Sequence, residues 1–178
     1  QGLAAWRASG AEIGLTHYLT PLIQAYKKAG HLREAESVLA EAFALVEKNA
    51  ERFYEAELYR LKGELTLQKF NVHGSMFKAT NPRSLTPDPQ TEAEVCFLRA
   101  IDIARQQQAK SLELRATMSL VRLRQHQAAE LGVRTTQHAS RPTLDEAHQI
   151  LFEIYHWFTE GFATKDLQEA KALLEELA

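Results

Sequence analysis

Glu153 and His156 stand three residues apart, the carboxylate–imidazole step that supplies ligands to di-metal sites in helical bundles. Such a site needs a second Glu-x-x-His pair and two further facing carboxylates. No second pair exists, so Glu153 and His156 read as surface residues of a helix, and no metal is expected. The remaining histidines scatter without ligand spacing, and none has an evident Ser or Cys partner for nucleophilic chemistry. Neither GxxxxGK[ST] nor GxGxxG occurs, which removes the glycine-rich cradle that holds phosphates. The expectation is a chain without catalytic residues and without a cofactor. Cys96, the single cysteine, cannot form an internal disulfide and reads as a buried thiol in a reducing, cytoplasmic compartment.

Charge narrows the partners. The formal net charge is −2 over 178 residues, so the whole-molecule field does not favour nucleic acid or an anionic membrane. The distribution is uneven. Arg99, Arg105, Lys110, Arg115, Arg122, Arg124, Arg134 and Arg141 face only Asp102, Glu113 and Glu130 in their segment, whereas Pro142 to Ala178 carries eight acids against Lys165 and Lys171. Two readings follow: solvated faces that pair with one another, or a basic groove for an acidic peptide or partner domain. No apolar run approaches the roughly 20 residues that span a bilayer, and the start lacks the order of a signal peptide. The chain opens on Gln1 rather than Met, as expected of a fragment or a processed product.

The elements that must position these side chains come from a recurring apolar stripe. Ala93, Cys96, Phe97, Ala100, Ile103 and Ala104 keep step with Ala35, Val38, Leu39, Ala42, Leu45 and Val46, and with Ala147, Ile150, Leu151, Ile154, Trp157 and Phe158. The spacing i, i+3, i+4, i+7, i+10, i+11 is one face of an α-helix, so Trp157 and Phe158 are expected in the core. Trp6 belongs to an earlier partial repeat that reads as a helix over about Leu3 to Ser9. Helices are then expected over about 15–28, ending at Gly30 and interrupted by Pro21, and over about 31–48, 53–69, 91–104, 111–127, 143–158 and 164–177. Thr91-x-x-Glu94 and Thr143-x-x-Glu146 read as capping boxes that open two of them. Phe162 reads as a plug between hairpins. Segments 70–90 and 128–142 hold Pro, Gly, Ser, Thr and Asn without helical period and read as irregular loop inserts. Without about 19 and 14 residues of insert the repeat unit is about 40 residues, the mark of stacked helical hairpins in a single domain.

Ala35/Ala42 and Ala93/Ala100, with Leu39, Phe97 and Leu151 between or after them, resemble the second helix of a tetratricopeptide repeat. Tyr26, Gly30 and Ala35 match that motif's Tyr, Gly and Ala spacing, and Gly63 falls where its first helix often has glycine. Whole phrases extend the likeness: Gly2-Leu-Ala-Ala-Trp-Arg, Glu57-Leu-Tyr-Arg-Leu-Lys-Gly-Glu64, Cys96-Phe-Leu-Arg-Ala-Ile-Asp-Ile-Ala-Arg105, and Trp157-Phe-Thr-Glu-Gly-Phe162 followed by Asp166-Leu-Gln-Glu-Ala-Lys. These resemble the C-terminal repeat region of large bacterial signalling proteins that carry a class III adenylate/guanylate cyclase domain and a STAND-type predicted ATPase domain. The resemblance implies an all-α solenoid of three hairpins with a partial unit at each end, acting as an interaction and regulatory region, with nucleotide chemistry upstream.

On the tetratricopeptide pattern the first helix of each hairpin lines the binding groove. The groove positions are then His17, Thr20, Gln24, Lys27 and Lys28, followed by Glu57, Arg60 and Glu64, and by Arg115, Met118, Arg122 and Gln125. They lack the Lys/Asn clamp that some such repeats use for C-terminal carboxylates. The expected partner is a protein or peptide, or other domains of the same parent chain. The alternative is a sensor whose groove binds a small effector and controls an attached transcription regulator or enzyme.

Overall fold

A computed structural model describes residues 14–77, 88–132 and 141–177. Seven α-helices run through them: α1 (Leu15–Ala29), α2 (Leu32–Asn49), α3 (Glu55–Phe77), α4 (Pro89–Gln106), α5 (Lys110–Gly132), α6 (Arg141–Trp157) and α7 (Lys165–Glu176). No strand occurs among the described residues, so the fold is all-α. No helix among them is long and apolar enough to cross a membrane. The helix expected over 3–9, with Trp6, lies outside the described residues. The chain divides into two compact units, Gln1–Cys96 and Phe97–Ala178, with the division inside α4.

In the first unit α1, α2 and α3 all touch one another. Their apolar faces meet at Leu15, Leu19, Ile23, Ala35, Leu39, Ala42, Val46, Leu58, Leu61 and Leu65, all buried. Fully burying an aliphatic side chain of this size is worth roughly 1.5–3 kcal/mol. Ala35 and Ala42 are 0% exposed; the methyl side chain lets α2 approach its neighbours closely, while Tyr26, Leu32, Val38, Phe43 and Leu45 flank the core half-buried. Phe43 and Tyr59 meet edge to face, ring centroids 5.0 Å apart. The second unit repeats the arrangement: α5, α6 and α7 are in mutual contact. Here α5 is the element enclosed on most sides, with Leu114, Ala116, Thr117, Met118, Leu120, Val121 and Leu123 buried.

Hydrogen bonds at the helix ends explain why the chain turns where it does. Gly30, with φ 78°, ends α1: its N–H donates to the Lys27 carbonyl and the His31 N–H to the Tyr26 carbonyl. This pair of bonds satisfies carbonyls that the helix leaves open. Leu32 N–H then donates to Gly30 O and Ala35 N–H to His31 O. The turn from α4 to α5 uses the same four bonds: Gln108 to Arg105, Ala109 to Ala104, Lys110 to Gln108 and Glu113 to Ala109. There Gln108 takes the left-handed position, φ 55°.

Several boundaries differ from the sequence expectation. The described parts of the two inserts nearest α3 and α5 are helical, since α3 runs on to Phe77 and α5 to Gly132. Glycine inside a helix costs only ~1 kcal/mol relative to alanine, so Gly74 does not stop α3. Helix α4 starts at Pro89, not at Thr91: the Asp88 carbonyl accepts from Glu92 N–H at 2.9 Å, and its carboxylate lies 3.4 Å from Thr91 N. Proline suits a first helical position because its missing N–H would be unpaired there anyway. Asp88, rather than a capping box on Thr91, therefore opens the helix. Thr143 likewise lies inside the first turn of α6, which begins at Arg141. Helix α1 passes through Pro21 without interruption.

Candidate functional site

The expected groove positions fall on α1, α3 and α5. In the first unit they converge. His17 Nδ1 lies 2.6 Å from the Tyr54 hydroxyl, Gln24 Nε2 donates to Glu57 Oε1 at 3.1 Å, and Lys27 pairs with Glu64. These contacts advance together along both helices, so α1 and α3 run parallel. Gly14 N–H, at the start of α1, donates to both oxygens of the Glu51 carboxylate at 2.7 and 3.0 Å. An acid there also suits the positive end of the helix dipole. At the far end Gln68 Nε2 donates to the Lys27 carbonyl at 3.2 Å.

Arg60 is the centre of this seam. Its Nε and Nη2 donate to the two oxygens of Glu57 at 2.8 and 2.7 Å, and its Nη1 to Glu64. The Glu57 side chain is 0% exposed and that of Arg60 11%. A planar guanidinium fits a carboxylate by two parallel bonds, which makes such a pair stronger than a neutral one. Burial works against the charged form of Arg60, but Glu57 and Glu64 outweigh it and hold the guanidinium above its usual range. Burial likewise pushes the Glu64 carboxyl up, and Arg60 and Lys27 together pull it below its ordinary value. Gln24, Lys27, Glu57, Arg60 and Glu64 thus form one network. Thr20 is buried, with its hydroxyl bonded to the Thr16 carbonyl at 2.8 Å, and Lys28 is exposed.

The second unit disposes its positions differently. Arg115 Nε donates to Asp166 Oδ2 at 2.7 Å, and Arg122 Nη2 to Glu169 Oε2 at 2.6 Å. Both acids lie on α7, and the two contacts again advance together, so α5 and α7 are parallel. The pairs are open to water, with side chains 37% and 36% exposed in the first and 45% and 38% in the second. The hydrogen bond and charge of Arg122 hold the Glu169 carboxyl below its ordinary value against the opposing effect of burial, and Lys165 adds to the lowering. Met118 is buried and Gln125 half-buried. The basic segment around α5 and the acidic end of the chain therefore pair with each other through these two bridges. Arg105 and Lys110 both reach Glu113, at 2.7 and 2.8 Å, where α4 turns into α5.

Other marked residues sit as follows. Glu153 accepts from Gln149 Nε2 at 2.9 Å, and His156 Nδ1 lies 2.8 Å from the Phe152 carbonyl. Among the described residues no three His, Cys, Asp or Glu side chains gather as a metal site. Cys96 is buried, and burial raises its thiol, Lys62 opposing and Glu92 adding. Trp157 is a correction: expected in the core, it is 58% exposed at the last residue of α6, with Lys110 Nζ 5.8 Å from its ring centroid. Phe162 is 47% exposed, its ring centroid 5.8 Å from that of Tyr155. The sequence reading missed Glu51, Tyr54, Asp166 and Glu169. A constant offset would have found the first two, because Gly14–Glu51, His17–Tyr54 and Lys27–Glu64 are each 37 residues apart. No protein-family model, curated protein or solved structure matches the chain.

Proposed function

We propose that the chain is a non-catalytic protein-interaction and regulatory module, an α-solenoid of tetratricopeptide-like hairpins from a multidomain bacterial signalling ATPase or nucleotide cyclase. Its place is the cytoplasm, and its partner is a protein segment or another domain of the same parent chain. The observation that carries the reading is the parallel pairing along α1 and α3, whose contacts fall at offsets of 33, 37 and 41 residues. Tandem hairpins bring equivalent helices side by side at a fixed sequence separation, and the face they share is the surface such arrays offer to a partner. The pairing of α5 with α7 follows the same parallel sense, at the longer offsets of 51 and 47 residues.

A photo-crosslinking residue placed at Lys28, next to the α1–α3 seam, and in a second variant at Glu47 on α2, tests the reading in cells. Adducts with one protein, or with another domain of the parent chain, from position 28 and not from position 47 are expected. Equal adducts from both positions, or none from position 28, would remove the seam as the binding face.

A further inference from the structure

Among the described residues, the outer face of α6 takes no part in the core or the ion pairs of the second unit. Ala147, Leu151 and Ile154 turn inward and are buried. Asp145, Glu146, Gln149, Phe152, Glu153, His156 and Trp157 are all exposed. At 100° per residue they cover roughly 140° of the helix surface in one continuous arc. Two aromatics stand on this arc, Phe152 45% and Trp157 58% exposed. The His156 ring lies against Phe152 with centroids 4.0 Å apart and its Nδ1 tied to the Phe152 carbonyl, so the two rings form a fixed ledge.

Charge selects the occupant. Between Pro142 and Thr164 the chain holds Asp145, Glu146, Glu153 and Glu160 and no lysine or arginine. The Trp157 ring already has a lysine ammonium at its edge of reach, from Lys110, and a ring of this kind attracts cations through its electron-rich faces. Two neighbouring rows at four-residue spacing, Phe152–His156 and Gln149–Glu153–Trp157, make the ridges against which a second helix packs. We infer that the outer face of α6 docks an amphipathic helix bearing lysine or arginine, whose apolar residues cover Phe152 and Trp157 while its cations meet Glu146 and Glu153. This surface belongs to the second unit, and the inference does not rest on the α1–α3 seam.

The probe is a synthetic 14-residue Leu/Lys amphipathic peptide, with its Leu/Glu counterpart as control. The chain has two tryptophans, so a Trp6→Phe background leaves Trp157 as the sole reporter. Adding the Leu/Lys peptide should move its emission to shorter wavelength, with an affinity that weakens severalfold as salt rises, and the Leu/Glu peptide should not. Glu146→Lys with Glu153→Lys should weaken binding about tenfold or more, since like charges then face each other. The matched reversal Glu175→Lys with Glu176→Lys, on exposed positions of α7, should leave it unchanged. Thermal unfolding followed by circular dichroism establishes that each variant is folded. Equal binding of both peptides, or an equal loss from the α7 reversal, would overturn the inference.

Discussion

The two units stack parallel helices in the same way and fasten them differently. Between α1 and α3 the fastening is a branched network in which Arg60 bridges Glu57 and Glu64, Lys27 joins Glu64 and Gln24 joins Glu57, with Glu57 fully enclosed. Between α5 and α7 it is the two bridges Arg115–Asp166 and Arg122–Glu169, each about two-fifths open to water. Charge taken out of water must be repaid by close partners, so Glu57, fully enclosed, is the member most dependent on its guanidinium. The open bridges lose little when broken, because water replaces the partner. Ion pairs in similar places between parallel helices need not contribute equally to stability; burial decides.

The largest effect should come from Arg60→Ala. It leaves Glu57 buried without its guanidinium, and a loss of about 3–5 kcal/mol in urea unfolding is expected. A loss under about 1 kcal/mol would mean that water reaches Glu57 and that the two seams are alike. Acid provides the next contrast. The Glu64 carboxyl is held below its ordinary 4.5 in the folded chain, so its stabilisation is complete above the unfolded value and disappears as pH falls through the folded one. Wild type should therefore lose stability below about pH 4.5 more steeply than Glu64→Gln. Glu169→Gln should flatten the curve much less, because solvent screens that exposed pair. Equal effects from the two glutamines would contradict the distinction.

The shared turn allows a smaller comparison. Gly30 and Gln108 occupy the same left-handed position in turns with matching hydrogen bonds. A side chain in that conformation costs about 1–2 kcal/mol. Gly30→Ala should lower the melting temperature and Gln108→Gly should raise it; the same sign for both would show that the two turns differ in strain. The smallest effect belongs to the double change Arg115→Ala with Arg122→Ala. A stability loss of no more than about 1 kcal/mol is expected, shrinking further in high salt.

How far the sequence carried differs by element. The middle stripe is buried at all six positions and the first at four, Ala35, Leu39, Ala42 and Val46. Apolar periodicity reports helix packing directly, so these were legible. The third stripe fails at Trp157 because α6 ends there, and a periodic pattern cannot say where its helix stops. Of the seam, the periodicity placed Gln24, Lys27, Glu57, Arg60 and Glu64 on the right helices. It could not tell that they satisfy one another, because that depends on the separation of α1 and α3 and not on the face of either. Asp88 was missed as a cap because Pro89 disguises a helix start as a loop.

A double-mutant cycle on one bridge from each pair of parallel helices tests the central contrast most directly. Lys27–Glu64 has both side chains 22% exposed and sits inside the network, and Arg122–Glu169 has 45% and 38%. Single and double alanine variants of each pair, unfolded in urea, give the coupling energies free of the single-site costs. A coupling above about 1.5 kcal/mol for Lys27–Glu64 and below about 0.5 kcal/mol for Arg122–Glu169 is the expected result. Equal couplings would contradict the claim that burial separates the two seams.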